Sequence, residues 1–305
     1  MNRPILVGSR GSALALAQTK HVIEALRECA PNLRYETVTI KTRGDKMHDS
    51  EEGTVDSKRL FTKEIEESLL SEEIQIAVHS MKDLTTDLPT GLMMAAVPQR
   101  ADHRDALISR NKRKFEQLPG GARVGTSSPR RRTQLLAARG DLEIVDMHGN
   151  VDTRLRKLDA GECDAIVLAA AGLMRLGLEK HATDLLSTRT MLPAVGQGAL
   201  AIESRENDGE MVNLLSRIDH EPTRRAVEAE RAFARKLGAN CKTPIAAFAS
   251  VHNTNLTIDG MVASTDGRMV LRGQLTSDEQ DSKKIGEELA ESLIKKGAQI
   301  VMEAA

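Results

Sequence analysis

Short apolar runs alternate with amphipathic stretches of helical length twice over along this chain, and that rhythm restricts the fold more than any other feature of the sequence. The first round covers 4–97: Ile5-Leu6-Val7, a helical spacing over 13–29, the alternating Tyr35-Val38-Ile40, a helix over 60–70 and a buried run over 74–78. After the polar stretch 98–104 it resumes with 123–125, a helix over 129–139, a strand at 142–145, a helix over 150–160 and a strand at 165–168. Strands that take turns with helices imply a mostly parallel sheet, so two α/β domains are expected. Beyond a helix over 221–237 the signals turn antiparallel. Strands are expected over 245–251, 256–258 and 261–275, the last broken by a Thr265-Asp266-Gly267 turn, and an amphipathic helix over 281–297 closes a small α+β third domain. Segment 193–203 carries a short strand after a Pro/Gly-rich turn. The pattern does not identify its partner sheet, and a return to the first domain is one option. The expected boundaries are 1–98 with 199–216, 104–192, and 221–305.

Three of the turns deliver arginine. They are Gly8-Ser9-Arg10-Gly11-Ser12, Gly125-Thr126-Ser127-Ser128-Pro129-Arg130-Arg131-Arg132, and His148-Gly149-Asn150 leading to Arg154. A helix that opens after such a turn offers unpaired N–H groups and the positive end of its dipole, to which hydroxyls and guanidinium forks add directed donors. Three traps imply a ligand with many negative charges. With 43 basic and 44 acidic residues the formal net charge is −1, so the attraction must be local, and the total favours neither nucleic acid nor an anionic membrane. Aromatic residues are only 2% of the chain, too few to stack single-stranded bases. There is no G-x-x-x-x-G-K-[ST] and no strand-linked G-x-G-x-x-G, so carboxylates suit these arginines better than a nucleotide.

Other residues suit chemistry. An apolar strand ends in Val78-His79-Ser80-Met81-Lys82-Asp83, where ligands of open α/β sheets bind. Lys82 there can hold a carboxylate while Asp83 handles a proton or a developing cation; the alternative is a weak surface ion pair. Cys241 sits in a loop between a long helix and the third domain, beside Lys242, which favours a thiolate; packing is the alternative. Cys29 and Cys163 read as structural. Three widely spaced cysteines suggest neither a disulfide framework nor a zinc site, and the eight histidines have no ligand spacing, so no metal is expected. No apolar run approaches a membrane span, and Met1 to Val7 lacks a secretory leader's pattern, so a cytoplasmic location is expected.

Taken together, these segments resemble the porphobilinogen deaminase (hydroxymethylbilane synthase) family. The resemblance runs in order through GSRGSALALAQ, TRGD at 42–45, KRLFTKEIE at 58–66, VHSMKDLTT at 78–86, RDALIS at 104–109, GTSSPRRRTQL, HGNVDTRLRKLD, DAIVLAAAGLMRLGL, LPAVGQGALAIE and CKTPIAAFA. It implies a deaminating transferase of tetrapyrrole (heme) biosynthesis that joins four porphobilinogen molecules head to tail, releases ammonia at each step and frees a linear tetrapyrrole. It also implies two lobes like those of periplasmic binding proteins around an active-site cleft, a third domain, here with a three-stranded antiparallel sheet, and a monomer, to which composition adds the expectation of neither nucleic acid nor membrane as partner. By matching positions, Asp83 is the catalytic carboxylate and Cys241 carries a dipyrromethane cofactor through a thioether. Arg10, Ser12, Lys82, Ser128, Arg130, Arg131 and Arg154 match positions that bind the acetate and propionate groups of cofactor and substrate. Thr126, Ser127 and Asn150 accompany them, with Lys58, Gln197 and His148 as lesser contacts. The chain departs from the family's pattern at three places: His148 and Arg59 stand where arginine and glycine are usual, and Asn240 replaces the glycine before the cysteine. A non-enzymatic carboxylate-binding protein on the same two-lobed plan also explains the arginine turns, but not Cys241 or the third domain. An RNA-binding protein using the arginine helix is a third reading, poorly served by so few aromatics.

Overall fold

The structure is a computed structural model that describes residues 3–44, 59–85, 87–239 and 243–303. The chain divides into two compact units, one made of 1–100 with 199–224 and the other of 101–198 with 225–305.

In the first unit β1 (Ile5–Ser9) leads into α1 (Ala13–Cys29), followed by β2 (Tyr35–Thr39), α2 (Arg59–Leu70), β3 (Ile76–Ser80) and β4 (Leu92–Ala96). The chain later returns as β10 (Leu200–Arg205) and α6 (Gly209–Leu215). The sheet order is β2-β1-β3-β10-β4. The continuous apolar run of β3 follows from burial on both faces: Ile76 and Val78 join Val22, Ile23 and Leu26 of α1, while Ala77 joins Ile65 and Leu69 of α2. β1 pairs parallel with β2 and β3, whereas β10 runs antiparallel to β3 and β4. So the strand after the 193–198 turn belongs to the first sheet. It enters against the others because it arrives directly from the second unit, without a helical crossover.

The second unit repeats this plan. Its sheet, ordered β7-β6-β8-β5-β9, consists of β5 (Asp105–Ser109), β6 (Arg123–Gly125), β7 (Glu143–Val145), β8 (Ala165–Ala169) and β9 (Asp184–Leu186). β6 pairs parallel with β7 and β8, and β5 is the antiparallel member. Helices α3 (Pro129–Ala138), α4 (Val151–Asp159) and α5 (Ala170–Arg175) connect these strands.

The same unit holds a three-stranded antiparallel sheet, β11 (Ile245–His252), β12 (Asn255–Ala263) and β13 (Val270–Asp278), with α8 (Ser282–Lys295), α9 (Ala298–Glu303) and, from residue 225 on, α7 (Glu221–Lys236). Where two strands were expected at 256–258 and from 261, β12 runs unbroken through Asp259-Gly260. Gly260 falls between the two expected strands. Its role is close approach: a Cβ there would lie 2.7 Å from the ring of Phe233, the α7 side chain at the centre of this core. Gly267, at φ 73°, makes the turn into β13. Among the described residues no helix is long and apolar enough to cross a membrane.

Candidate functional site

The first unit gathers its polar groups at the ends of β1 and β3. Ser12 has an extended backbone and its hydroxyl accepts the Ala15 N–H at 3.2 Å, so it caps α1. Arg10, two residues earlier, lays its guanidinium over the Phe61 ring, 4.1 Å from the centroid. β3 ends in a single 3-10 turn, Met81–Asp83. Met81 is buried and its N–H donates to Ala199 O at 3.1 Å, which anchors the turn and leaves Lys82 and Asp83 half-exposed. Gln18 of α1 donates to the Ser80 hydroxyl at 2.8 Å and ties the helix to the end of β3. Arg10, Ser12, Gln18, Phe61, His79 and Asp83 are among the residues lining one small pocket of about 60 Å³. A carboxylate that can meet a cation thus shares a pocket with donors that can meet an anion.

In the second unit the turn 126–128 is built so that its hydroxyl oxygens accept from the backbone. Thr126 accepts the Ser128 N–H at 3.2 Å, Ser127 accepts the Met147 N–H at 2.9 Å, and Ser128 caps α3 by accepting the Arg131 N–H at 3.4 Å. An accepting hydroxyl keeps its own proton for donation, so this geometry suits the binding of an anion. Pro129 at the first helical position fixes the entry angle.

Arg130 and Arg131 do not reach into solvent, as a basic helix face would. Both are buried, and both grip Asp105, a carboxylate with no exposed surface. Arg130 donates to Asp105 at 2.8 and 3.2 Å, and Arg131 at 2.9 and 2.7 Å. Arg130 also donates to Leu192 O at 2.7 Å and Arg131 to Val167 O at 2.9 Å. Burial would raise the Asp105 pKa, but the two guanidiniums more than offset this and hold the carboxyl well below its usual range. Two cations on one carboxylate leave the cluster with a net positive charge.

Arg154 stands near that excess. Its Nε donates to Gly149 O at 2.8 Å, and burial together with the neighbouring Arg131 lowers its pKa to about 10. A guanidinium that feels another cation and, among the described residues, donates to one carbonyl is suited to an anion. Asn150 opens α4 without a side-chain cap, and His148 beside it is exposed. Gln197 is fully buried and donates to His103 O at 2.8 Å, so its amide holds the segment near 103. Lys58, Asn240 and Cys241 lie outside the described residues, as do 45–57 of the loop 42–57. Arg59 is the first residue of α2.

Three residues of this arrangement carry no signal that sequence reasoning used. Asp105 opens a strand that is buried throughout, and a charge in such a strand is the clue to a paired cation. Arg175 ends the short α5, where an arginine reads as a solvated last-turn residue. Here burial lowers its pKa to about 10, and its Nη2 donates to Gly198 O at 2.8 Å. Phe61 reads as an ordinary helix-face residue until Arg10 is seen above it.

Comparison with known proteins divides the chain differently, setting the part that carries both five-stranded sheets apart from the C-terminal part. The family model "Porphobilinogen deaminase, dipyromethane cofactor binding domain" matches residues 5–213, and "Porphobilinogen deaminase, C-terminal domain" matches 224–295. A protein of Carboxydothermus hydrogenoformans named porphobilinogen deaminase is 46% identical over 99% of this chain and 97% of its own length. One of the same name from Syntrophus aciditrophicus is 47% identical over 97% of each. Among solved structures, the second substrate binding domain of a putative amino acid ABC transporter from Streptococcus pneumoniae is similar with a TM-score of 0.43 at 12% identity, over 71% of this chain and 92% of that one.

Proposed function

Because the chain belongs to the porphobilinogen deaminase family, its reaction is the polymerisation of four porphobilinogen molecules into hydroxymethylbilane, and we propose how its residues divide that work. Asp83 serves the chemistry. Departure of ammonia from the substrate's aminomethyl group leaves an electron-poor azafulvene, and joining it to the next ring puts positive charge on pyrrole nitrogen. A carboxylate held beside those N–H groups stabilises the charge where it develops. The observation that carries this assignment is the pocket itself, in which Asp83, held on a turn anchored by Met81, lies with Arg10 and Ser12.

The carboxylate arms fall to the arginine turns. Each pyrrole unit brings an acetate and a propionate, so the chain gains two negative charges per addition. Arg10, Ser12 and Lys82 in the first unit, and Thr126, Ser127, Ser128, Arg131, Arg154 and Asn150 in the second, are the donors. Arg130 belongs to the site mainly through Asp105, and Arg175 joins it as a further cation. His148 is a lesser contact, as is Lys58. Gln197 contributes through the segment it holds.

The family's cofactor is a dipyrromethane, itself a four-carboxylate group, and the net positive cluster of Arg130, Arg131, Arg154 and Asp105 fits it. Cys241 holds it through a thioether. When bound, the cofactor supplies the ring carbon to which the first substrate unit is joined. A cytoplasmic monomer is the form we expect, and the free thiols of Cys29 and Cys163 accord with a reducing compartment; light scattering on purified protein tests the oligomeric part.

Asp83→Asn tests the chemical assignment. The variant keeps the cofactor adduct by intact mass and loses at least about 100-fold in kcat, the usual scale for removing one preorganised electrostatic contact. Near-normal turnover overturns the assignment. Cys241→Ala removes the two-pyrrole adduct; an adduct that persists on another residue overturns the anchor.

A further inference from the structure

We propose that Arg272, a residue of the third sheet, is a positioning residue for the arginine pair of α3, acting through Gln134. The two lie on different sheets' elements within one compact unit. From β13, Arg272 donates through Nη1 to Arg189 O at 2.6 Å and through Nη2 to the side-chain oxygen of Gln134 at 3.0 Å. Gln134 is buried on α3, one turn after Arg130. Its oxygen also accepts the Leu192 N–H at 2.7 Å, and its amide donates to Leu192 O at 3.0 Å and Arg130 O at 3.2 Å. Leu192 O is in turn the acceptor for Arg130 Nη1, whose other partner is Asp105. An unbroken series of hydrogen bonds therefore runs from Arg272 through Gln134, Leu192 and Arg130 to Asp105, and from Asp105 to Arg131.

Two further observations show that the third sheet is seated on this helix and does not merely graze it. Leu192 packs with Ala246, Met261 and Ala263 of the third sheet. Gly267 in the β12–β13 turn lies so close to α3 that a Cβ would come within 2.6 Å of Thr133 O. Desolvation lowers the Arg272 pKa, and Asp259 only partly offsets this.

The consequence concerns register. Under the functional reading above, on which this inference rests, the ligand is anchored to the third domain at Cys241 and gripped by the α3 turn. Arg272 sets one relative to the other. Its planar fork reaches two acceptors on separate segments at once, which a lysine cannot reproduce.

The test is steady-state kinetics on holoenzyme with porphobilinogen, together with intact mass. Arg272→Met keeps its cofactor adduct and raises KM at least 5-fold with kcat within 2-fold, because a looser grip weakens ground state and transition state alike. Arg272→Lys falls between. If the relay runs through Gln134, the double variant Arg272→Met/Gln134→Met is no worse in KM than Gln134→Met alone. A KM unchanged in Arg272→Met, or effects that multiply in the double variant, overturns the relay. Arg131→Leu separates this from the parent reading. If it raises KM while Arg272→Met does not, the relay alone falls; if it leaves KM untouched, the carboxylate site falls and takes the relay with it.

Discussion

Asp105 is the residue on which the proposed anion site of the second unit depends. Its carboxylate is wholly buried and compensated by Arg130 and Arg131. Replacing it with Asn strands two buried guanidiniums, a change that costs about 3–5 kcal/mol when one partner of a buried pair is removed. The expected result is a fall of that size in the unfolding free energy of Asp105→Asn by denaturant titration, accompanied by a raised KM. The pH dependence has a definite sign. Because the folded carboxyl titrates below its ordinary value, its stabilising contribution is complete above the unfolded pKa of about 3.9 and is lost as pH falls below that toward the lower folded value. Native protein therefore loses stability more steeply below pH 4 than Asp105→Asn does, when both are followed by thermal unfolding. Equal slopes would show that Asp105 is not the charged partner described. This residue also marks the limit of sequence reading: the three arginines of Pro129-Arg130-Arg131-Arg132 advertise an anion, but the nearest one is a side chain that only β5 pairing brings beneath α3.

At the level of elements, helices and strands were readable where periodicity reports burial directly. β3 reads as buried because both its faces are covered, and α3 begins at Pro129 because Ser128 caps it. What periodicity does not report is partnership. Nothing local says that β10 inserts antiparallel between β3 and β4, or that Gly260 admits Phe233 instead of turning the chain. Gly286 is a second such glycine. It sits inside α8, where glycine is a poor helix former, yet a Cβ there would collide with the carbonyl oxygen of Ala229 on α7. The Cβ position is fixed by the α8 backbone and the oxygen is itself a backbone atom, so no rotamer change relieves the clash. Gly286→Ala should cost about 1–3 kcal/mol, the range for overpacking, despite the gain in helix propensity. Denaturant unfolding checks this, and a neutral or stabilising outcome would mean that α7 and α8 do not approach so closely.

The whole molecule carries almost no net charge, yet it must hold a product that gains two carboxylates at every addition. A chain of 43 basic and 44 acidic residues cannot attract such a ligand from a distance, so its grip has to come from cations concentrated in a few turns. Those turns were legible in the sequence because Gly, Ser and Thr before a helix start are a local signal. Their unequal roles were not, since Arg130 is spent on Asp105 while Arg154, which feels the charge of Arg131, has no carboxylate partner among the described residues. Short-range attraction of this kind makes a prediction about salt. Raising ionic strength from 0.1 to 1 M shortens the screening length from about 10 to about 3 Å and adds anions that compete for the same donors. KM for porphobilinogen should rise several-fold across that range, while kcat, which the proposed role of Asp83 ties to charge at contact distance, changes little. In Arg154→Leu the KM starts higher and depends less on salt, because one of the cations being screened is gone. Parallel salt curves for the two proteins would assign the effect to the remaining donors and remove Arg154 from the site.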